Sequence, residues 1–173
     1  MSDCEDRIEG GRFFLDCARK TDLNEPQYKW HIQATASFAV AAIQILYYDY
    51  GVDKELFSRE SRHDLEELKR RYPNHQFFWW LWRKLELDIP KDERSLNARR
   101  YDFLREERNS ILHRGERDKR KIEIRQPVGS GPSSVTIVYY FIGWDSEPCE
   151  EACENTITFA EGIIREAKNS GYF

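Results

Sequence analysis

The sequence lacks an apolar run of the roughly 20 residues that an α-helix needs to span a bilayer. Its acidic first residues are also unlike the basic start of a signal peptide. Its four cysteines have no spacing that would indicate a disulfide framework, which is typical of the reducing cytoplasm. Internal repeats and low-complexity linkers are lacking as well. We therefore expect a cytoplasmic protein with no membrane association.

Net positive charge is lacking too, since the formal charge at pH 7 is −4. This excludes a protein that coats nucleic acid with its whole surface, but it leaves room for a local basic site. Residues 99–125 indeed contain more Arg and Lys than Asp and Glu. With 173 residues, of which 14% are aromatic, the chain can fold without disulfides or metals. We expect one domain over residues 1–173.

Most of the chain has helical periodicity. We expect a first helix from about Glu5 to Lys20, interrupted at Gly10 and Gly11. A second helix is expected to begin with Asn24 at its cap and Pro26 early in its first turn. From Trp30 to Tyr48 this helix is apolar over most of its circumference, as a central bundle helix would be.

The helices that follow are shorter or more charged. Gly51 is expected to end the second helix, and Asp53 to cap a helix that continues as far as Pro73. The aromatic segment 77–82 predicts a short buried helix or a subunit contact. A longer helix is expected from about Asp92 to Arg114.

After this helix, the spacing of the apolar residues changes from the period of a helix to that of a strand. Residues 121–125 alternate strictly, residues 129–134 are rich in Gly and Ser, and residues 135–142 are β-branched and aromatic. This pattern predicts a β-hairpin at about 120–144, inserted before a last helix that starts near Ser146. The expected fold class is therefore mainly α, a helical bundle with one inserted hairpin.

The segment from Arg105 to Gly115 carries the chemistry. Because a helix advances about 100° per residue, Arg108 falls inside an apolar stripe, whereas Asn109 and His113 share a neighbouring face. A guanidinium in such a stripe must be paired, must reach solvent, or must serve a function. One helix does not readily bring Arg108 and His113 to one phosphate, but two copies meeting at a symmetric interface can. This predicts a homodimer with a composite site.

These residue types suit the cleavage of RNA without a metal. A histidine can take a proton from a ribose 2′-hydroxyl or give one to the leaving 5′-oxygen. An arginine presents a planar, permanently charged fork to the phosphorane. The asparagine amide can orient the imidazole or the substrate. Neither a cofactor nor a metal is needed.

The motif Arg108-Asn109-Ser110-Ile111-Leu112-His113 resembles that of the HEPN superfamily, which has Arg, a polar residue, several further residues and then His. The long apolar second helix and the amphipathic last helix, Ser146 to Lys168, add to the resemblance. It implies an HEPN-like bundle and a dimeric, metal-independent endoribonuclease that cuts RNA by 2′-hydroxyl attack. Arg108 and His113 would be catalytic and Asn109 would support them.

The resemblance also implies a setting. Many similar proteins are toxins or phage-defence effectors, so an antitoxin or another partner protein is expected. Two features depart from the family's pattern. The hairpin is an addition to the minimal bundle. Toxins paired with nucleotidyltransferase antitoxins carry a modified tyrosine two residues after the histidine, where this chain has Gly115, so we expect no control by that route.

Other interpretations stay open. Arg108 can form a salt bridge at the edge of the core while His113 interacts with the helix dipole. The chain would then be a non-catalytic module of the same fold that binds a nucleotide or a protein. Basic residues around the motif are expected to hold RNA phosphates, unless they form only a charged connector: Arg105, Arg114, Arg117, Lys119, Arg120 and Lys121.

Four further candidates have simpler explanations. We expect His31 to be a core or interface histidine. Cys149 and Cys153 are one turn apart, but they lie on the apolar stripe of the last helix, where small buried hydrophobes are favoured over metal ligands. The aromatic segment 77–82 can stack RNA bases, although core packing is the simpler interpretation.

Overall fold

The computed structural model describes residues 2–23, 25–58, 60–61, 63–114, 123–125, 138–141, 143–144 and 146–173. These residues form a mainly helical protein, as the periodicity predicted. The helices and strands are α1 (Ser2–Lys20), α2 (Pro26–Asp53), α3 (Leu65–Arg71), α4 (Gln76–Lys84), α5 (Leu96–Arg114), β1 (Glu123–Arg125), β2 (Val138–Tyr140) and α6 (Cys149–Asn169).

Helix α2 is the centre of the bundle and packs against α1, α5 and α6. Buried residues lie on most sides of α2, as its apolar sequence predicted. Alanines at several of these positions let the neighbouring helices approach closely. None of the described helices is long and apolar enough to cross a membrane.

Gly10, Gly11 and Gly51 lie within helices and do not break them, contrary to our expectation, and two of the three allow close packing. Helix α1 continues through Gly10 and Gly11, and α2 continues through Gly51. A Cβ at Gly10 would lie 2.4 Å from Cε1 of Phe38, and one at Gly51 would lie 2.0 Å from Cζ of Phe57. Any larger residue at either position would therefore force the neighbouring, partly buried aromatic ring to move.

The helix starts also differ from the prediction. Helix α3 begins after Asp64, whose carboxylate accepts a hydrogen bond from the Glu67 amide at 2.7 Å, so Asp53 is not its cap. Helix α2 begins at Pro26 after Glu25, which makes no side-chain cap bond. The expected cap Asn24 lies outside the described residues. Helix α5 begins four residues later than expected, and Ser95 Oγ accepts from the Ala98 amide at 3.3 Å.

The two strands pair antiparallel, with Ile124 opposite Tyr139. Their position matches the predicted hairpin, but the residues that join them lie outside the described part, so the complete hairpin stays a prediction. The second strand is attached to the helical core by aromatic contacts. The ring of Tyr139 lies 5.3 Å from that of Tyr28, and Phe141 and Trp144 pack against Phe103.

A buried ion pair joins α5 to the segment before α6. Arg100 contacts both carboxylate oxygens of Glu147, with Nη2 2.9 Å from Oε2. Asn155 and Trp144 also donate to this carboxylate, at 2.8 and 3.2 Å. Burial raises the pKa of Glu147, but the hydrogen bonds from Arg100 and Asn155 outweigh it and hold that pKa below its usual value. Glu147 is therefore charged, and the pair holds the first turns of α5 in place.

Candidate active site on helix α5

The motif residues lie on one continuous helix, because α5 extends to Arg114. Asn109 and His113 are one turn apart along it, as predicted. The side chains of Asn109, His113 and Arg114 lie outside the described part of the structure. So do residues 117–121, which contain four of the expected phosphate-binding residues: Arg117, Lys119, Arg120 and Lys121. The described part of the site consists of Arg105, Arg108 and their neighbours.

Arg108 is half-buried against α2, where its Nη1 donates a hydrogen bond to Oε1 of Gln44 at 2.5 Å. Among the described residues, no carboxylate lies within ion-pair distance of its guanidinium. Burial lowers the pKa of Arg108, and the positive charge of Arg7 on α1 lowers it further. An arginine nevertheless stays protonated. The chain thus holds a partly desolvated cation beside a neutral amide.

Two phenols also interact with Arg108. Tyr47 on α2 and Tyr101 on α5 are both buried, and both interact electrostatically with the guanidinium. Burial raises the pKa of Tyr101 to about 12 and also raises that of Tyr47. Both side chains are therefore neutral hydroxyls at pH 7 and do not cancel the charge of Arg108.

Arg105, one turn before Arg108, has a different environment. Its Nη2 donates to Oδ1 of the buried Asp102 at 2.6 Å. Asp102 is shared with two further cations, Arg94 at 3.1 Å and Lys91 at 3.4 Å. The Nε of Arg105 is buried with no acceptor among the described residues. Among the described side chains, Arg105 is thus held by an ion pair, whereas Arg108 is held by an amide.

Sequence reasoning missed the neighbours that define this site. Gln44 carried a usable signal, because it is a polar residue within the otherwise apolar middle of α2. Arg7 carried none, since it is one of many charged residues on α1. Its guanidinium carbon lies 5.3 Å from the ring centroid of Phe38, and no described carboxylate is within ion-pair distance of it.

The other candidates lie in apolar surroundings. The ring of His31 stacks on Phe14 with centroids 6.0 Å apart. Cys149 and Cys153 are fully buried, and burial raises the pKa of the Cys153 thiol, which makes it a poor metal ligand. Within the described ranges, no group of three or more His, Cys, Asp or Glu residues is arranged to hold a metal ion.

Comparison with known proteins gave no relatives. No family model matches this chain, and no curated protein or solved structure matches it significantly. The resemblance to the HEPN superfamily therefore depends on the residues of α5 and on the helical architecture.

The surroundings of Arg108 predict that its charge does not stabilise the fold. We expect Arg108→Met to change the free energy of unfolding by less than about 1 kcal/mol, or to raise it, because the substitution removes a desolvated charge that pairs with no carboxylate among the described side chains. Arg100→Met is the matched control on the same helix. It should lose about 3–5 kcal/mol, because it leaves Glu147 buried and unpaired. Urea unfolding measures both values. A loss for Arg108→Met as large as that for Arg100→Met would show that Arg108 is a structural residue.

Proposed function

We propose that this protein is a metal-independent endoribonuclease in which Arg108 binds the scissile phosphate and His113 transfers protons. The observation that carries the proposal is the environment of Arg108, a half-buried guanidinium beside the neutral Gln44. Within the described part of the chain, no carboxylate neutralises it. Its charge is thus available to an anion.

Physical cost supports a functional role for this charge. Burying a cation without a carboxylate partner costs free energy, and an apolar side chain would fill the same space without that cost. Local features that oppose stability cluster at functional sites. The guanidinium lies beside an amide and interacts with two neutral phenols, and no carboxylate of the described residues competes with a phosphate for its donors.

The proposed reaction needs only groups of this chain. His113 takes the proton from the 2′-hydroxyl, and the 2′-oxygen then attacks the adjacent phosphorus. Arg108 stabilises the negative charge of the pentacoordinate phosphorane, and Asn109 orients the imidazole or the substrate. The bond from phosphorus to the 5′-oxygen breaks, and His113 returns the proton that it removed to this oxygen as it leaves. The products have a 2′,3′-cyclic phosphate and a 5′-hydroxyl.

The helix geometry supports a shared site. Arg108 faces α2, whereas positions 109 and 113 lie roughly 100° or more away around the same helix. A second copy of α5, related by twofold symmetry, can bring its His113 to the first copy's Arg108. We propose this homodimer, an HEPN-like bundle, and a role in toxicity or antiviral defence with an antitoxin or other protein partner.

Cleavage of mixed RNA in EDTA tests the activity. We expect wild type to cut RNA and leave 2′,3′-cyclic phosphate ends, and His113→Ala to lose at least about 100-fold in rate, because the proton-transfer group is removed. His63→Ala is the matched control. His63 contacts Glu67 at 3.1 Å near the start of α3, so its removal should leave the rate unchanged.

Equal rates for wild type and His113→Ala would contradict the assignment. If no variant cleaves any RNA, including wild type, a non-catalytic module of the same architecture that binds a nucleotide or a protein becomes the better explanation.

Mixing two inactive variants tests the composite site. Arg108→Ala and His113→Ala each remove one residue from both sites of a homodimer. If each site takes Arg108 from one protomer and His113 from its partner, a mixed dimer has one intact site. An equal mixture that re-associates at random should regain about one quarter of wild-type activity. If both residues come from the same protomer, no activity returns.

A further inference from the structure

Helix α4 has two different aromatic faces. Phe77, Phe78 and Leu81 are fully buried in the core. Trp79 is 38% exposed, and Trp80 is half-buried. Core packing therefore explains the phenylalanines but leaves tryptophan surface in contact with solvent.

This tryptophan surface lines a cavity of about 670 Å³. The cavity lies between α4 and the end of the chain after α6, and its lining consists of Gln76, Trp79, Trp80, Arg83, Lys84 and Tyr172. The ring of Trp80 is held by packing, with its centroid 5.7 Å from that of Phe77 and 5.5 Å from that of Tyr172. Nucleotides and similar ligands occupy cavities of about this size. Lys84 lies over the Trp80 ring at 6.0 Å and Lys69 over the Trp79 ring at 4.8 Å. A flat base that stacks on either indole replaces a lysine ammonium there.

The charge of this lining is positive. It contains Arg83 and Lys84 and no carboxylate. Lys84 pairs with Glu166 outside the lining. Arg83 is exposed, and no carboxylate of the described residues lies within ion-pair distance of it. A stacked base would thus have a free guanidinium beside it for its phosphate.

Two other described cavities have the opposite character. The cavity on the α3 side of Trp79 is lined by Asp64, Glu66 and Glu67 as well as Lys69 and Arg70. The cavity between α1 and α6 is lined by four carboxylates and three cations: Glu5, Asp6, Glu9, Glu161, Arg12, Arg165 and Lys168. A polyanion is repelled by these carboxylates, and the cavity beside Arg83 is the favourable one of the three.

We propose that the cavity of α4 binds single-stranded RNA, with bases stacked on Trp79 and Trp80 and a phosphate held by Arg83. Single strands fit this lining, because a paired base buries its faces within the helix stack and cannot lie on an indole ring. The inference rests on the proposed function in that it takes RNA as the ligand. It assigns substrate capture to α4 and leaves the chemistry to α5.

Fluorescence anisotropy of a labelled 2′-O-methyl RNA strand of about 12 nucleotides tests the proposal. This probe has no 2′-hydroxyl to attack the phosphate, so binding is measured independently of cleavage. We expect Trp79→Leu and Arg83→Glu each to weaken binding by roughly 5- to 100-fold, because each removes a direct contact with the strand.

Each variant has a matched control. Trp30→Leu removes a tryptophan of α2 that is 62% exposed, and Arg70→Glu makes the same charge change in the cavity on the α3 side of Trp79. Both controls should bind the strand as wild type does, and duplex RNA should compete poorly with it.

The inference is overturned if wild type does not bind the strand, if the α4 variants bind like wild type, if the controls lose as much affinity, or if duplex RNA competes equally. None of these results decides whether the protein cleaves RNA in EDTA, which is a separate test. Conversely, if the α4 variants lose binding but wild type cuts no RNA, the RNA-binding site on α4 is supported and the proposed endoribonuclease activity is contradicted.

Discussion

The buried ion pair between Arg100 and Glu147 fixes the rotation of α5 about its axis, and the candidate site follows from that rotation. The Arg100 side chain is only 3% exposed and contacts both oxygens of its partner. Arg108 comes eight residues later, which places it about 80° further around the helix. With Arg100 directed to Glu147, Arg108 is directed to α2, where Gln44 accepts its hydrogen bond.

Two of the arginines on α5, Arg100 and Arg108, show how charge is used in this protein. Arg100 is neutralised by a carboxylate that receives four hydrogen bonds from three residues, so it serves the architecture. Arg108 is desolvated beside an amide and two phenols, and burial lowers its pKa. Its charge does little for folding, because none of the described neighbours carries a compensating charge. We therefore infer that Arg108 is kept for an anion that the protein binds.

Features that depend only on the helical spacing of nearby residues could be predicted from the sequence. The central position of α2 followed from its apolar circumference, and the inward position of Arg108 followed from the 100° step of the helix. The aromatic segment 77–82 was predicted as a short helix, and it lies in α4, although its exposed tryptophan was not predicted. These predictions needed no knowledge of which helices would be neighbours.

Features that depend on distant residues could not be predicted. The glycines at 10 and 51 resemble helix breakers locally, and their role becomes clear only when Phe38 and Phe57 are placed against them. Gln44 lies 64 residues from Arg108, and Glu147 lies 47 residues from Arg100. A single sequence gives no indication of either pairing. These two pairings determine which way the side chains of α5 point. The motif could therefore be found in the sequence, whereas the residues that surround it could not.

The central claim of the proposal is that Arg108 binds the scissile phosphate because no carboxylate in the described part of the chain neutralises it, and two substitutions of Gln44 test this most directly. Gln44→Glu places a carboxylate at the guanidinium, whereas Gln44→Met keeps the size of the side chain and remains neutral. Single-turnover RNA cleavage should fall on the order of 100-fold in Gln44→Glu, because the new ion pair removes Arg108 from the phosphate, and should be largely retained in Gln44→Met. If Gln44→Glu cleaves RNA as fast as wild type, the positive charge of Arg108 is not what the reaction uses, and the account is wrong.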